Sequence, residues 1–180
     1  MDARCVIGLV RRGMQAFSDV ESEEPMIRPA GNYTSFMDIA LEEASAAAAR
    51  GEVPVGAVIV RDNQILGRAG NRTRELFDPT AHAEVLAIRE ACKATASERL
   101  IGADLYVTLE PCAMCAGAIS FARINRLYFA ASDEKGGGVL HGGRFFRQPT
   151  CHHVPEVYEG INAAAATSLR IPAACRRCGR

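Results

Sequence analysis

The stretch Asp104-Leu-Tyr-Val-Thr-Leu-Glu-Pro-Cys-Ala-Met-Cys-Ala-Gly-Ala-Ile-Ser-Phe-Ala-Arg-Ile-Asn-Arg-Leu-Tyr-Phe-Ala130 decides the fold. Asp104 to Thr108 and Arg126 to Ala130 are short runs carrying Leu, Val, Tyr and Phe, the composition of strands. Between them Cys112 to Phe121 is small and apolar and reads as a helix, with Pro111 expected at an early helical position where its missing N–H is not needed. Working outward, Asp78-Pro79-Thr80 precedes a helix expected to run to about Ala96. Gly56 to Val60 and Gln64 to Arg68 flank Asp62-Asn63 and read as a β-hairpin. Ser35 can cap a first helix whose apolar positions Phe36, Ile39, Ala40 and Ala44 recur at helical spacing, stopping near Arg50-Gly51. The order helix, hairpin, helix, strand, helix, strand predicts an α/β sandwich whose later strands are parallel. Beyond the last clear strand, Gly136 to Gly138 and Gly142-Gly143 predict a flexible stretch.

The remaining sequence sets limits. Three parts are expected: a loosely ordered extension over residues 1–35, one domain over 36–160, and an Ala-rich helix with an Arg/Cys tail over 161–180. A chain of 180 residues can bury a full core unaided, and seven cysteines are too few and too odd in number for a disulfide framework. The apolar run Val6 to Val10 is too short for a signal peptide, and the Asp19, Glu21, Glu23, Glu24 cluster argues against a transit peptide despite Arg4, Arg11 and Arg12. No apolar run approaches a membrane span; with no signal for secretion the thiols read as reduced, buried or bound to metal, and a cytoplasmic protein is expected. The 21 basic and 21 acidic residues cancel, which excludes broad, non-specific nucleic-acid binding. Residues 111–150 nevertheless carry Arg123, Arg126, Lys135, Arg144 and Arg147 against only Asp133 and Glu134, a local basic excess.

Two short pieces carry chemistry: Thr80-Ala-His82-Ala-Glu84 and Glu110-Pro111-Cys112-Ala-Met-Cys115. Both lie where a loop turns into a helix. In mid-helix, His82 and Glu84 would splay by about 200°, but at a helix start both can face one point. Cys112 and Cys115 fall on one face of a first turn, where the helix N-terminus and a metal both favour the thiolate. One His and two Cys make three zinc ligands and leave a fourth place for water, the pattern of a catalytic rather than a structural site. Zinc lowers the pKa of such a water from about 15.7 towards about 7, and Glu84, which is not a ligand, is placed to shuttle its proton. A competing metal set combines Cys151-His152-His153 with the second Cys-x-x-Cys, Cys175 to Cys178.

The pair His-x-Glu and Pro-Cys-x-x-Cys is the signature of zinc deaminases that act on nucleobases. The chain most resembles the bacterial tRNA-specific adenosine deaminases, which convert the wobble adenosine of a tRNA anticodon to inosine. The resemblance covers Phe36 to Gly160 and rests on Gly51-Glu-Val-Pro-Val-Gly-Ala57, Gly70-Asn71, Asp78-Pro-Thr-Ala-His-Ala-Glu84, Thr108-Leu-Glu-Pro-Cys-Ala-Met-Cys-Ala-Gly117, Ala122-Arg-Ile124 and Phe145-Phe146. Free cytidine deaminases typically follow the second Cys with Arg-Gln, where this chain has Ala116-Gly117, and deoxycytidylate deaminases favour Asn at the position of Leu86. Guanine deaminases are the nearest rival.

This resemblance implies a three-layer α/β/α sandwich with a mixed central sheet, cytidine deaminase-like. It implies one Zn²⁺ per subunit on His82, Cys112 and Cys115, Glu84 as the catalytic proton shuttle, a homodimer, and the tRNA anticodon stem-loop as partner. Asn71 would hydrogen-bond the flipped base, and Asp133 and Lys135 would touch the RNA. Arg144 and Arg147 beside Phe145 and Phe146 suit unstacked loop nucleotides, although the aromatics read equally well as core. The C-terminus departs from the family, because Ile161 to Leu169 is Ala-rich and Ala173 to Arg180 lacks the usual aromatic residues. Two other readings stand beside this one: a guanine or free-nucleoside deaminase, and a zinc-stabilised RNA-binding module without turnover.

Overall fold

The computed structural model describes residues 36–169. The expectations for residues 1–35, including the Ser35 cap, and for Cys175 and Cys178 lie outside the described residues. The elements are α1 (Phe36–Ala49), β1 (Gly56–Arg61), β2 (Gln64–Gly70), α2 (Ala83–Thr95), β3 (Asp104–Leu109), α3 (Ala113–Ala122), β4 (Arg126–Ala131), a 3-10 turn (Phe145–Arg147), β5 (Glu156–Glu159) and α4 (Ala163–Ser168). The hairpin forms as its sequence requires: Asp62 and Asn63 take left-handed φ of 53° and 60°, the pair of values a type I′ turn needs.

The sheet runs β2-β1-β3-β4-β5. β1 is antiparallel to both β2 and β3, while β3–β4 and β4–β5 are parallel, so the sheet is mixed. Alternation along the strands sends side chains to two faces. Ala57, Ile59, Leu105, Val107, Leu127 and Phe129 form one buried cluster with Ala83, Ala87 and Ala91 of α2 and Ala116 and Ile119 of α3. Val58, Val60 and Ala130 join Met37 and Ala40 of α1 in a second cluster, with Tyr106, Tyr128 and Ala166 of α4 packed against it. The result is the expected three-layer sandwich. Each fully buried large side chain, such as Phe129 or Ile59, contributes roughly 1.5–3 kcal/mol by leaving water. α1 lies unusually close to the sheet, because a Cβ on Gly56 would sit 2.6 Å from the backbone nitrogen of Ala44 and closer still to the carbonyl of Ala40.

The second face also carries a column of rings. Tyr106, Tyr128 and Tyr158 are register partners across β3, β4 and β5. Their centroids are 4.6 and 4.8 Å apart, with interplanar angles of 8° and 14°.

Three sequence expectations change. The sheet has a fifth strand, β5, which sequence pattern alone does not call, since Glu-Val-Tyr-Glu offers one aliphatic residue and lies at a mostly exposed edge. Pro111 precedes the helix it was expected to open, and Cys112 is the N-cap. The glycine stretch after β4 is not left loose: Gly137, Gly138 and Val139 are buried, and hydrogen bonds described below tie the segment down.

Candidate metal centre

The residues immediately before α2 and α3 set the geometry of the site. His82 and Cys112 are the N-caps of α2 and α3, both with extended backbone (φ −74°, ψ 152° and φ −69°, ψ 173°), and neither spends its side chain on capping. Both side chains are therefore free to leave the helix axis and meet. Cys115, one turn into α3, is fully buried beside them. The Cys112 and Cys115 sulfurs are 3.6 Å apart, and His82 Nδ1 lies 3.8 and 3.5 Å from them. Among the described residues this is the group whose donor atoms all lie within 4.8 Å of one another. A tetrahedral zinc with ordinary bond lengths of about 2.3 Å to sulfur and about 2.0–2.1 Å to nitrogen would space two sulfurs about 3.8 Å apart, and sulfur from nitrogen about 3.5–3.6 Å. The donor set fits a zinc ion in both chemistry and spacing.

Electrostatics support the same reading. The hydrogen bond from the Cys115 thiol, together with His82, holds Cys112 down to about 4, as a thiolate, while Cys115 is pushed up by that shared proton and by burial. His82 is raised, chiefly by its contact with Cys112. Glu84 is buried and raised, with burial the leading cause. A carboxyl that holds its proton more readily than an exposed one, beside the three donors, is suited to accepting a proton and releasing it again.

The entrance to α2 is built around Asn71 and Asp78. Asn71 is buried, and its Oδ1 accepts the Ala83 N–H at 2.8 Å, which fixes the amide orientation and turns Nδ2 the other way. Asp78 Oδ1 accepts from both the N–H (2.7 Å) and the hydroxyl (2.6 Å) of Thr80, setting the turn into His82. Asp133 caps its own loop, accepting the N–H groups of Lys135 and Gly136 at 3.0 Å, and Lys135 is exposed. Phe145 and Phe146 pack against the α2/α3 cluster and edge-to-face on each other at 6.0 Å, so the core reading holds for them, while Arg144 and Arg147 are exposed.

The competing metal set does not assemble among the described residues. Cys151 Sγ contacts Ser120 Oγ and the carbonyl of His153. His153 Nε2 lies 2.6 Å from the Ile124 carbonyl, and the backbone carbonyl of exposed His152 accepts from Arg123.

Sequence reasoning missed Glu110 as a structural centre. Its buried carboxylate receives the N–H groups of Asp133, Val139, Leu140 and His141 at 2.8–3.2 Å and lies 2.7 Å from His141 Nδ1. Burial would raise Glu110, but the hydrogen bonds from His141, Asp133 and Leu140 outweigh it and hold the carboxyl at about 2. His141 Nδ1 is therefore the donor in that pair. The signal available in sequence was only the adjacency of an acid to Pro-Cys and the run of glycines that would approach it.

A histidine and two cysteines on adjoining helix starts over a mixed sheet, with a buried Glu beside them, define the zinc deaminase class. Residues 31–131 match the family model of the cytidine and deoxycytidylate deaminase zinc-binding region. The tRNA-specific adenosine deaminase of Agrobacterium fabrum is 65% identical over 136 residues, covering 76% of this chain and 90% of that protein. The protein of that name from Aquifex aeolicus is 49% identical over 118 residues, 66% of this chain and 78% of its own. A solved structure from a study of A-to-I editing by tRNA:A34 deaminases at the wobble position aligns with a TM-score of 0.74 at 61% identity, covering 75% of this chain and 98% of that one. Guanine deaminase from Bacillus subtilis aligns less fully, with a TM-score of 0.54 at 42% identity over 57% of this chain and 66% of its own. The chain belongs to the tRNA-specific adenosine deaminases, within the zinc-binding deaminase family.

Proposed function

We propose that this protein hydrolyses adenosine to inosine at the wobble position of a tRNA anticodon, with His82, Cys112 and Cys115 as zinc ligands and Glu84 as proton shuttle. The observation that carries the reading is the convergence of three zinc-spaced donor atoms with the buried Glu84 carboxyl, whose pKa burial raises. Zinc bound by His82 Nδ1 and the two sulfurs would supply the Lewis acidity that brings a water towards ionisation near neutral pH. Glu84 takes one proton from the attacking water and passes it to adenine N1 as oxygen bonds to C6, then takes the second from the C6 hydroxyl and delivers it to the amino group as the C6–N6 bond breaks, so that C6=O forms and ammonia leaves. Asn71, its Oδ1 held by Ala83, offers Nδ2 to an acceptor on the purine edge. Burial of Glu84 and Cys115 favours an extruded base over one stacked in a helix.

Lys135, Arg144 and Arg147 are exposed on the segments that follow β4 and provide cations for the anticodon loop. A homodimer is the assembly implied by the family, and Phe121, 66% exposed on α3, offers an apolar contact for it. Sedimentation of the zinc-loaded protein measures that state. A tRNA substrate is what supports a cytoplasmic location. Among the described residues, no helix is long and apolar enough to cross a membrane.

The test is incubation of the zinc-loaded protein with tRNA bearing adenosine at the wobble position, and separately with guanine, adenosine and cytidine. Inosine in tRNA alone is expected; ammonia from guanine alone would replace this reading with a guanine deaminase, and RNA binding without turnover would reduce it to a binding module. Glu84→Gln is expected to keep one zinc per chain and to lower kcat by at least about 10²–10⁴; full activity in that variant would remove Glu84 from the mechanism.

A further inference from the structure

Glu110 has no place in the chemistry above, yet among the described residues its carboxylate collects hydrogen bonds from four backbone N–H groups and lies against an imidazole. Oε1 accepts from Val139 (3.2 Å), Leu140 (2.8 Å) and His141 (3.0 Å), while Oε2 accepts from Asp133 (3.1 Å) and the His141 ring (2.7 Å). All of these partners come from residues 133–141, the segment that follows β4. Glu110 itself is anchored from behind by its own N–H to the Ala131 carbonyl at 2.8 Å. One residue further on, Pro111 gives its carbonyl to Gly138 N–H at 2.8 Å, and Gly138 in turn accepts from Phe145 at 2.7 Å.

The packing leaves no slack in this arrangement. A Cβ on Gly137 would lie 2.5 Å from the Glu110 carboxyl carbon, and one on Gly138 would lie 2.5 Å from Ala113 N and 2.8 Å from the Cys112 carbonyl carbon. The loop backbone is thus pressed against the turn that presents Cys112. The side chain of His141 is still 35% exposed, and with Nδ1 committed to Glu110 its Nε2 edge is the one left to meet a ligand.

We propose that Glu110 is a positioning residue: it fixes the loop bearing Asp133, Lys135 and His141 against the Cys112 turn, so that the RNA-facing groups are held in register with the deamination centre. This rests on the tRNA reading above and adds to it the means by which substrate grip and metal site are kept in one frame. The loop has no strand or helix of its own between Asp133 and His141 to define its path. A single ionised acceptor that gathers the N–H groups from both ends of the loop supplies that definition instead.

The experiment uses the full chain loaded with zinc. Hydrogen exchange is measured amide by amide, and kcat and KM are determined separately on an anticodon stem-loop carrying the wobble adenosine. Glu110→Gln replaces one acceptor oxygen by a donor facing Asp133 N–H. It is expected to speed exchange at Asp133, Val139, Leu140 and His141 at least tenfold while α2 and α3 amides stay protected, to raise KM about tenfold, and to leave kcat within threefold with one zinc per chain. Gly137→Ala, which removes no polar group but wedges a methyl group against the carboxyl, is expected to reproduce the KM shift and provides the test should Glu110→Gln fail to fold. Should both variants retain the wild-type KM, or lose kcat, zinc and helix protection together, the positioning role is overturned. Failure of the wild type to make inosine is scored separately, against the tRNA reading, and the exchange pattern still reports whether Glu110 holds the loop.

Discussion

At the scale of single residues, the buried carboxyl of Glu110 gives a pH signature with a definite sign. Its folded pKa is lowered to about 2 from an ordinary 4.5, so its stabilisation is fully present above about 4.5 and is lost as pH falls towards about 2. A shift of that size corresponds to about 3 kcal/mol. Urea midpoints measured from pH 6 down to pH 3 are expected to fall steeply in the wild type and less steeply in Glu110→Gln. Parallel curves would assign the acid sensitivity to other groups. Asn71 allows two roles to be separated. Asn71→Ala strips the acceptor from Ala83 N–H and is expected to cost about 1–3 kcal/mol of stability. Asn71→Asp keeps that acceptor and loses the amide donor, so thermal unfolding should stay near wild type while KM for the stem-loop rises. A loss of stability as large as that of the Ala variant would make Asn71 purely a helix support. The sequence made His82, Glu84, Cys112 and Cys115 legible because metal chemistry tolerates few residue types and fixed spacings. It left Glu110 silent because a carboxylate that serves backbone amides imposes no side-chain pattern on its partners.

At the scale of elements, what could be read was whatever owes its form to neighbours in sequence. Asp62-Asn63 predicts its own turn, and α1 follows apolar spacing and ends on an identifiable stop, Gly51 with φ 79°, whereas α2 and α3 end on left-handed Ala96 and Arg123, which carry no stop signal. β5 and the tethered glycine segment owe their form to distant partners, β4 in one case and Glu110 in the other, and local pattern cannot register either. The displacement of Pro111 from the first helical position to the residue before the N-cap has a chemical reason: Cys112 must take extended backbone to aim its sulfur at His82. The contact between α1 and β1 gives the element-level prediction. Gly56→Ala forces a methyl group into the backbone of α1 and is expected to exceed the ordinary 1–3 kcal/mol of overpacking. Thermal unfolding measures it, and a loss under 1 kcal/mol would mean that α1 slides freely over the sheet.

For the molecule as a whole, charge balance and RNA recognition are reconciled by placement. Residues 36–160 carry 13 basic and 16 acidic residues, so the proposed grip on the anticodon loop falls to a few exposed cations after β4 rather than to a broad basic surface. If Lys135, Arg144 and Arg147 each meet one phosphate, log KM should rise with log salt with a slope of about 2, at about 0.7 per single-stranded phosphate. A slope above about 5 would demand a far wider basic surface than these residues supply. The tyrosine column has a consequence of another kind. The chain contains no Trp and four Tyr, three of them in the stack across β3, β4 and β5. Its near-ultraviolet dichroism and intrinsic emission therefore originate largely in coupled phenol rings on the face of the sheet turned away from α2 and α3. Departure of β5 would change that optical signal without any change at the cysteines, so one cuvette can follow the edge of the sheet while thiolate-to-metal absorption, in a cobalt-substituted sample, follows the centre.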